Sequence, residues 1–178
     1  MTAILLRELL DFAERELGLT AAARVLVESG KQPRPDLRGL MSAASPGGDT
    51  QSLLRRFGRG LFPRFAALYP AFFAGARGWR DLLLEVAPRV HGELGAWHRE
   101  GEFPSLRCRA HGSMAVEVEY RSPRELDGLA EGLLLGCLDY YGAAGEVSRR
   151  PSGDGSCRFL VEAARDSLPS SADGAAAN

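Results

Sequence analysis

The segment Met114-Ala-Val-Glu-Val-Glu-Tyr-Arg-Ser-Pro-Arg124 decides how the second half of the chain folds. Apolar and charged residues alternate along it, which is typical of a β-strand with one buried face. The alternation assigns four residues to that face: Met114, Val116, Val118 and Tyr120. Pro123 must end the ladder of hydrogen bonds, because it has no N–H group to donate. Ser122 and Arg124 continue the same period, so polar side chains follow the apolar ones on the side of the core.

The residues from Ser122 to Glu125 also match a capping box, which predicts a helix from Pro123 to Tyr141 with Ser122 as its N-cap. This pattern does not explain Arg124, because a cation in the first turn of a helix opposes the helix dipole unless an anion lies nearby. The two hydroxyls of Tyr120 and Ser122 and the guanidinium of Arg124 together suit a carboxylate ligand.

His91 lies beside the apolar stripe of a helix predicted at residues 82–97, with Gly92 and Gly95 close by. These glycines leave a bare patch of helix against which a bulky group could lie. An isolated histidine in such a place is most often a core residue bonded to a carbonyl, and this alternative stays open. Pro88, three residues earlier, must either start a helix or kink one.

The remaining pattern predicts an α+β fold in which helices come first and a four-stranded antiparallel sheet follows. Further helices are predicted at residues 4–17, 21–28 (capped by Thr20) and 51–62 (capped by Asp49 or Thr50). An aromatic-rich helical segment, from Phe65 to Phe73, is broken by Pro63 and Pro70. Residues 31–50 are mostly loop, with at most a helical turn near 37–42. Strands are predicted at residues 106–110, 114–120, 146–149 and 156–162.

Three glycines at intervals of four in the last helix predict close approach by a neighbouring helix or a flat ligand: Gly128, Gly132 and Gly136.

Composition limits the class of protein. The 178 residues carry a formal charge of −1, which gives no basic surface for nucleic acid or anionic lipid. The sequence has no stretch long enough to span a membrane and no signal-peptide layout, so we expect a soluble cytoplasmic protein. Three widely spaced cysteines predict free thiols, although a metal site completed by a histidine stays open: Cys108, Cys137 and Cys157. The motifs of hydrolases and nucleotide-binding enzymes are absent, so we expect no enzymatic activity.

The order His91, Pro104 and Tyr120-Arg-Ser-Pro-Arg124 resembles the haem nitric oxide/oxygen binding (H-NOX) domain family, which is related to the haem domain of soluble guanylate cyclase. Pro104 follows His91 by 13 positions (104 − 91), and Tyr120 follows it by 29 (120 − 91), as in the family pattern. The segments at residues 68–73 and 131–137 are also similar to the family. The resemblance spans about residues 1–162.

Length and composition predict a single domain, and the small, polar residues at the end predict a disordered tail at 166–178. With the resemblance, residues 1–165 are expected to form one haem domain, with a helical distal part at 1–62 and a mixed proximal part at 63–165. The cofactor it implies is haem b (iron protoporphyrin IX), enclosed by the helices and the sheet. His91 would be the axial iron ligand, and Pro104 would press the porphyrin out of plane. Tyr120, Ser122 and Arg124 would hold the haem propionates.

The resemblance further implies a gas sensor. Leu5 and Leu9 would form part of the distal wall, and Leu129 stands where oxygen-binding members of the family carry a tyrosine. An apolar wall predicts a sensor of nitric oxide that excludes oxygen, with carbon monoxide as a further candidate ligand. The signal would pass to a separate partner, such as a histidine kinase or a cyclic-di-GMP enzyme. Two alternatives remain: a haem-free interaction module of the same fold, or a binding domain for another carboxylate-bearing ligand.

Overall fold

The structure is a computed structural model that describes residues 3–31, 36–96, 103–152 and 156–163. The predicted tail at 166–178 and the turn at 153–155 lie outside the described residues. The first helices are α1 (Ala3–Leu17), α2 (Leu19–Ser29), α3 (Leu37–Ala44), α4 (Thr50–Leu68), α5 (Pro70–Phe73) and α6 (Trp79–Asp81). A π turn (Leu82–Val86) joins α6 to α7 (Ala87–Gly95). The sheet and last helix are β1 (Ser105–His111), β2 (Ala115–Arg121), α8 (Asp127–Tyr140), β3 (Gly145–Pro151) and β4 (Ser156–Ala163).

The four strands form the expected antiparallel sheet, in the order β1-β2-β4-β3. The alternation in β2 is confirmed at Val116, Val118 and Tyr120, which are at most 5% exposed. The expectation for Met114 is wrong. It is 40% exposed, because it lies in the turn after Gly112 and β2 starts only at Ala115.

Two apolar clusters make up the core. The first, which we call the sheet cluster, joins the inner face of the sheet to α8 and to the helix region around the π turn; its members include Trp79, Leu82, Val86, Val118, Tyr120, Leu138 and Phe159. The second, the helical cluster, lies among α1 to α4; its members include Leu9, Phe12, Val25, Met41, Leu54 and Phe57. Leu133 of α8 packs against both clusters, so α8 lies between them.

The glycine spacing in α8 reflects close packing of a neighbouring helix. A methyl group on Gly132 would lie 2.1 Å from the carbonyl oxygen of Arg55 in α4. Gly128 and Gly136 face α4 backbone oxygens in the same way, at 2.3 and 2.6 Å from such a methyl group. The two backbones approach this closely because no β-carbon stands between them. The glycine pattern predicted either a neighbouring helix or a flat ligand, and the structure supports the neighbouring helix.

Several helix ends differ from expectation. Thr20 is not a cap, because Gly18 adopts a left-handed φ of 89° and α2 already begins at Leu19. The loop at residues 31–50 contains the eight-residue helix α3, which is capped by Asp36. Helix α4, capped by Asp49, continues through Pro63. Pro63 points to solvent while the residues on the opposite face of the helix are buried, and their packing offsets the cost of about 3 kcal/mol for a proline in a helix.

The predicted capping box at Ser122 is also wrong, because α8 begins five residues later, at Asp127. Glu125 adopts a left-handed φ of 51°, which is incompatible with a helix through this segment. Gln51 of α4 takes the capping role from a distance. Its side-chain oxygen accepts a hydrogen bond from the N–H of Gly128 at 2.7 Å, and its side-chain nitrogen donates to the carbonyl of Glu125 at 2.9 Å.

The helix that carries His91 accommodates Pro88 by means of the π turn. The N–H of Ala87 donates to the carbonyl of Leu82, five residues earlier, so the helix is wide just before the proline. Upstream, the Arg80 guanidinium donates to the carbonyls of Ala115 and Gly112 at 2.6 and 2.8 Å, which ties α6 to the β1–β2 turn. None of the described helices is long and apolar enough to cross a membrane.

Candidate functional site

His91 lies in α7 with its ring partly buried. Its Nδ1 atom is 3.1 Å from the carbonyl oxygen of Ala87, one helical turn earlier. Because a carbonyl can only accept, the Nδ1 atom carries the proton and donates it to Ala87. Burial lowers the pKa of His91 below its usual value of 6.5 and so favours the neutral ring. The neutral tautomer leaves a lone pair on Nε2, and the described residues offer Nε2 no hydrogen-bond partner.

Part of the bare patch beside His91, at Gly95, is covered by Phe103, a residue that no sequence pattern predicted. The ring centroids of Phe103 and His91 are 5.8 Å apart, at an interplanar angle of 56°. A methyl group on Gly95 would be 3.7 Å from the Phe103 ring, so this ring also lies over Gly95. Pro104, the next residue, is half-buried and leads directly into β1.

The polar residues after β2 form a connected group. The hydroxyls of Tyr120 and Ser122 share a hydrogen bond, and the Ser122 Oγ accepts from the backbone N–H of Arg124 at 3.3 Å. Tyr120 is 5% exposed and Ser122 8%, and burial raises the pKa of Tyr120 to about 12. Since one hydroxyl donates to the other, one O–H of the pair is left to donate to a ligand.

Arg124 is exposed, and within the described ranges its guanidinium has no hydrogen-bond or ion-pair partner. A single O–H donor and an arginine side chain therefore stand at the end of β2. Both groups recognise oxygen anions, and a guanidinium can bind a carboxylate through two parallel hydrogen bonds.

His91 and the polar residues after β2 lie at the same end of the sheet. Tyr120 pairs with Leu106 across β1 and β2, and Leu106 is two residues beyond Pro104. His91 contacts Phe103, immediately before Pro104. Three parts of the chain therefore meet at this end: the start of β1, the end of β2 and the face of α7 that carries His91.

The predicted distal residues belong to the other half of the molecule. Leu5 and Leu129 are half-buried and pack against the helical cluster, and Leu9 is fully buried within it. His91, in contrast, contacts Ala87 and Phe103 on the side of the sheet. The predicted site residues therefore fall into two groups, one on the sheet side and one on the helical side of the protein.

The aromatic segment divides between core and surface. Phe62 and Phe73 pack edge-to-face in or against the sheet cluster, with ring centroids 5.6 Å apart. Tyr69 and Phe72 are 42% and 37% exposed, with ring centroids 5.9 Å apart. Tyr69 interrupts the helix before Pro70, as predicted, whereas Pro63 does not.

The other candidate chemical groups are the three cysteines and the two other histidines. The three cysteines form no disulfide, as expected, and burial raises the pKa of Cys108 to about 12 and that of Cys157 to about 11. His111, at the end of β1, is exposed, and His98 lies outside the described residues. In the ranges that the structure covers, no three His, Cys, Asp or Glu side chains are grouped so that they could hold a metal ion.

The donor set fits a porphyrin-bound iron better than a bare metal ion. A neutral imidazole oriented by a bond to its second nitrogen is the usual form of a histidine ligand. One protein ligand is enough when a macrocycle supplies the others. The O–H donor and the guanidinium at the end of β2 are of the kind that binds propionates.

Comparisons with known proteins agree with this fit. The sequence model of the family described as Haem-NO-binding matches residues 40–149. No curated protein sequence matches the chain.

Among solved structures, the unliganded Fe(II) H-NOX protein from K. algicida is 17% identical, with a TM-score of 0.77 over 93% of this chain and 97% of that chain. An H-NOX protein from S. oneidensis in the Fe(II)NO ligation state is 19% identical, with a TM-score of 0.77 over 93% of this chain and all of that chain. A mutant of the T. Tengcongensis H-NOX is 21% identical, with a TM-score of 0.76 over 94% of this chain and all of that chain.

These identities by themselves indicate a shared fold. The family model, in contrast, covers more than half of the chain. The chain therefore belongs to the Haem-NO-binding family.

Proposed function

We propose that this protein is a haem-based sensor of nitric oxide in which His91 is the axial iron ligand. The observation that carries the proposal is the hydrogen bond from Nδ1 of His91 to Ala87, which leaves the Nε2 lone pair for a metal. The lowered pKa of His91 keeps that lone pair unprotonated at neutral pH. Haem b would supply an iron whose face opposite the histidine is open to a diatomic gas.

The groups after β2 support a role in holding the haem propionates. Tyr120 and Ser122 are buried and linked to each other, so together they offer one O–H to an acceptor. Arg124 adds a charged and adaptable partner. Pro104, between Phe103 and β1, is proposed to contact the porphyrin plane.

Selectivity for nitric oxide rests on the distal side. Leu5 and Leu129 are proposed to form an apolar wall that offers no hydrogen-bond donor. Bound oxygen is strongly polarised and gains from a donor, whereas nitric oxide binds ferrous haem without one. We therefore expect nitric oxide, and also carbon monoxide, to bind, and oxygen to be excluded. The S. oneidensis relative, solved in its Fe(II)NO state, is a precedent for this ligand.

The protein would act without enzymatic activity of its own, in the cytoplasm, and would signal to a separate partner such as a histidine kinase or a cyclic-di-GMP enzyme. His91 would hold α7 to the haem, and α7 lies between the anchored α6 and the start of β1, so α7 would be free to shift if that hold were lost. A local change in one bond would thus bias the position of a helix that a partner can read. The division into a haem domain at residues 1–165 and a tail at 166–178 belongs to the same proposal.

The test is the absorbance spectrum of the reduced protein, recorded without gas, with nitric oxide and in air. We expect a Soret band that shifts with nitric oxide and does not change in air before slow oxidation. His91→Gly should lose the band or change its coordination, whereas His111→Gly, an exposed histidine, should match the wild type. A wild-type chain that takes up no haem after reconstitution would overturn the proposal and favour a haem-free interaction module.

A further inference from the structure

Phe103 is placed to act on His91 although it carries no polar group. Its ring centroid is 5.8 Å from that of the imidazole, at 56° between the planes, which lies within the range of favourable aromatic contacts. The ring also lies over Gly95, because a β-carbon at Gly95 would be 3.7 Å from it, an ordinary van der Waals distance. Phe103 is half-buried, so its position is held by the surrounding chain as well as by these contacts.

The helix itself leaves the imidazole little support. Among the described residues, Gly92 has nothing within 4 Å of the position of a β-carbon, and Gly95 has only the Phe103 ring. A histidine in a helix can rotate about its two side-chain bonds, and the bond from Nδ1 to Ala87 fixes only one edge of the ring. The ring of Phe103 supplies a second contact.

We infer that Phe103 is a positioning residue that holds the His91 ring in the orientation where Nδ1 bonds Ala87 and Nε2 is free to ligate. This inference rests on the proposed role of His91 as a ligand, but it concerns the ring in the haem-free chain as well. Phe103 would bind nothing itself. Phe103 would affect haem binding through the orientation and tautomer of the His91 imidazole.

The proposal predicts a measurable difference before any haem is present. Nitrogen chemical shifts of the His91 ring, recorded by NMR on the full-length chain without haem, report which nitrogen carries the proton. In the wild type we expect one tautomer, with the proton on Nδ1. In Phe103→Leu the two tautomers should interconvert, and both nitrogen shifts should move toward intermediate values. Phe103→Tyr keeps the ring and should restore the wild-type shifts.

A matched control separates this effect from general loss of aromatic packing. Phe73→Leu removes a half-buried ring that contacts Phe62 and Tyr140, away from His91. It should leave the His91 shifts unchanged while lowering thermal stability to a similar extent as Phe103→Leu.

Haem retention gives a second measurement. Transfer of haem from the loaded protein to an excess of an acceptor protein should be about three- to tenfold faster in Phe103→Leu, as expected for loss of one aromatic contact. Phe103→Tyr and Phe73→Leu should release haem at the wild-type rate.

The results distinguish this inference from the proposed function. If no form of the chain binds haem, the sensor proposal fails, but the NMR shifts still test the positioning role. Unchanged His91 shifts in a folded Phe103→Leu would overturn the positioning role, even if the wild type binds haem tightly. The positioning role would also be overturned if Phe103→Tyr showed the same averaged His91 shifts as Phe103→Leu, because the aromatic ring would then not be the cause.

Discussion

Replacing Gly132 by alanine should destabilise the protein, although the same change in most helices is stabilising. A β-carbon at this position would lie 2.1 Å from the carbonyl oxygen of Arg55 and 2.8 Å from the backbone nitrogen of Arg59. To reach a separation of 3.0 Å from the carbonyl, helices α4 and α8 must move apart by about 0.9 Å (3.0 − 2.1). Backbone cannot rotate away as a side chain can, so the whole contact between the helices must shift.

The cost can be bounded from two opposing effects. Overpacking of a close contact costs typically about 1–3 kcal/mol, and a clash with backbone belongs at the upper end. Alanine recovers about 1 kcal/mol of helix propensity relative to glycine. The net loss in the free energy of unfolding is therefore about 2 kcal/mol, which lowers Tm by about 4–8 °C for a domain of this size.

Gly60→Ala is the matched control. Gly60 lies in α4 and is exposed, and no atom of the described part of the chain comes within 4 Å of its β-carbon position. The same substitution there should stabilise by up to about 1 kcal/mol. The assay is urea unfolding followed by circular dichroism, with both variants and the wild type at equal haem loading. If Gly132→Ala proved as stable as Gly60→Ala, the close approach of α4 and α8 would be refuted.

Three further predictions concern the hydrogen bonds of Arg80 to the β1–β2 turn, the distal wall and the thiols. Arg80→Ala removes two hydrogen bonds to carbonyls of the β1–β2 turn and should lower the free energy of unfolding by about 1.5–3 kcal/mol in a urea titration. The control Arg77→Ala removes an exposed ion pair and should change the free energy of unfolding by less than about 0.5 kcal/mol. Leu129→Tyr should give the reduced protein a stable oxygen-bound spectrum in air, and Leu129→Phe, which lacks the hydroxyl, should not; oxygen binding by both or by neither would contradict the assignment of the distal wall. The raised pKa values of Cys108, which is half-buried, and of Cys157, which is buried, keep both thiols protonated. At pH 8 they should therefore react with a thiol reagent at least about a hundredfold more slowly in the native protein than in urea, with the rate rising as the pH increases; fast native reaction would show that their surroundings do not oppose ionisation.

Much of the fold follows from periodic patterns in the sequence. The alternation around Val116 and Val118 was sufficient to predict a half-buried strand, and it is confirmed. The glycine repeat in α8 predicted a close approach, but the identity of the neighbour depended on α4, some 75 residues earlier in the chain. Patterns of this kind report the local period, and they do not report which distant element fills the space.

The errors occur where a distant residue replaces a local signal. Ser122 has the sequence context of an N-cap, yet Gln51 caps the start of α8 from another helix. Pro63 has the context of a helix breaker, yet burial of the opposite face of α4 outweighs it. In both cases tertiary contacts of a few kcal/mol override a local preference of about 1–3 kcal/mol.

The candidate site could be predicted only in part. The order of His91, Pro104 and Tyr120 in the sequence was sufficient to name the family, whereas the roles of these residues stay predictions. The bond from His91 to Ala87 follows from helical spacing and the common behaviour of half-buried histidines. The contact of Phe103 was missed, since the signal was only a bare helix patch at Gly92 and Gly95 with no indication of what covers it.

The most direct test of the central claim is to supply the missing side chain from solution. In His91→Gly, free imidazole titrated into the reduced, haem-reconstituted protein should restore the wild-type five-coordinate spectrum in a saturable manner, and nitric oxide should then shift it as in the wild type. The same imidazole should leave the spectrum of His111→Gly unchanged. A His91→Gly protein whose spectrum already equals that of the wild type without imidazole would contradict the claim that His91 holds the iron.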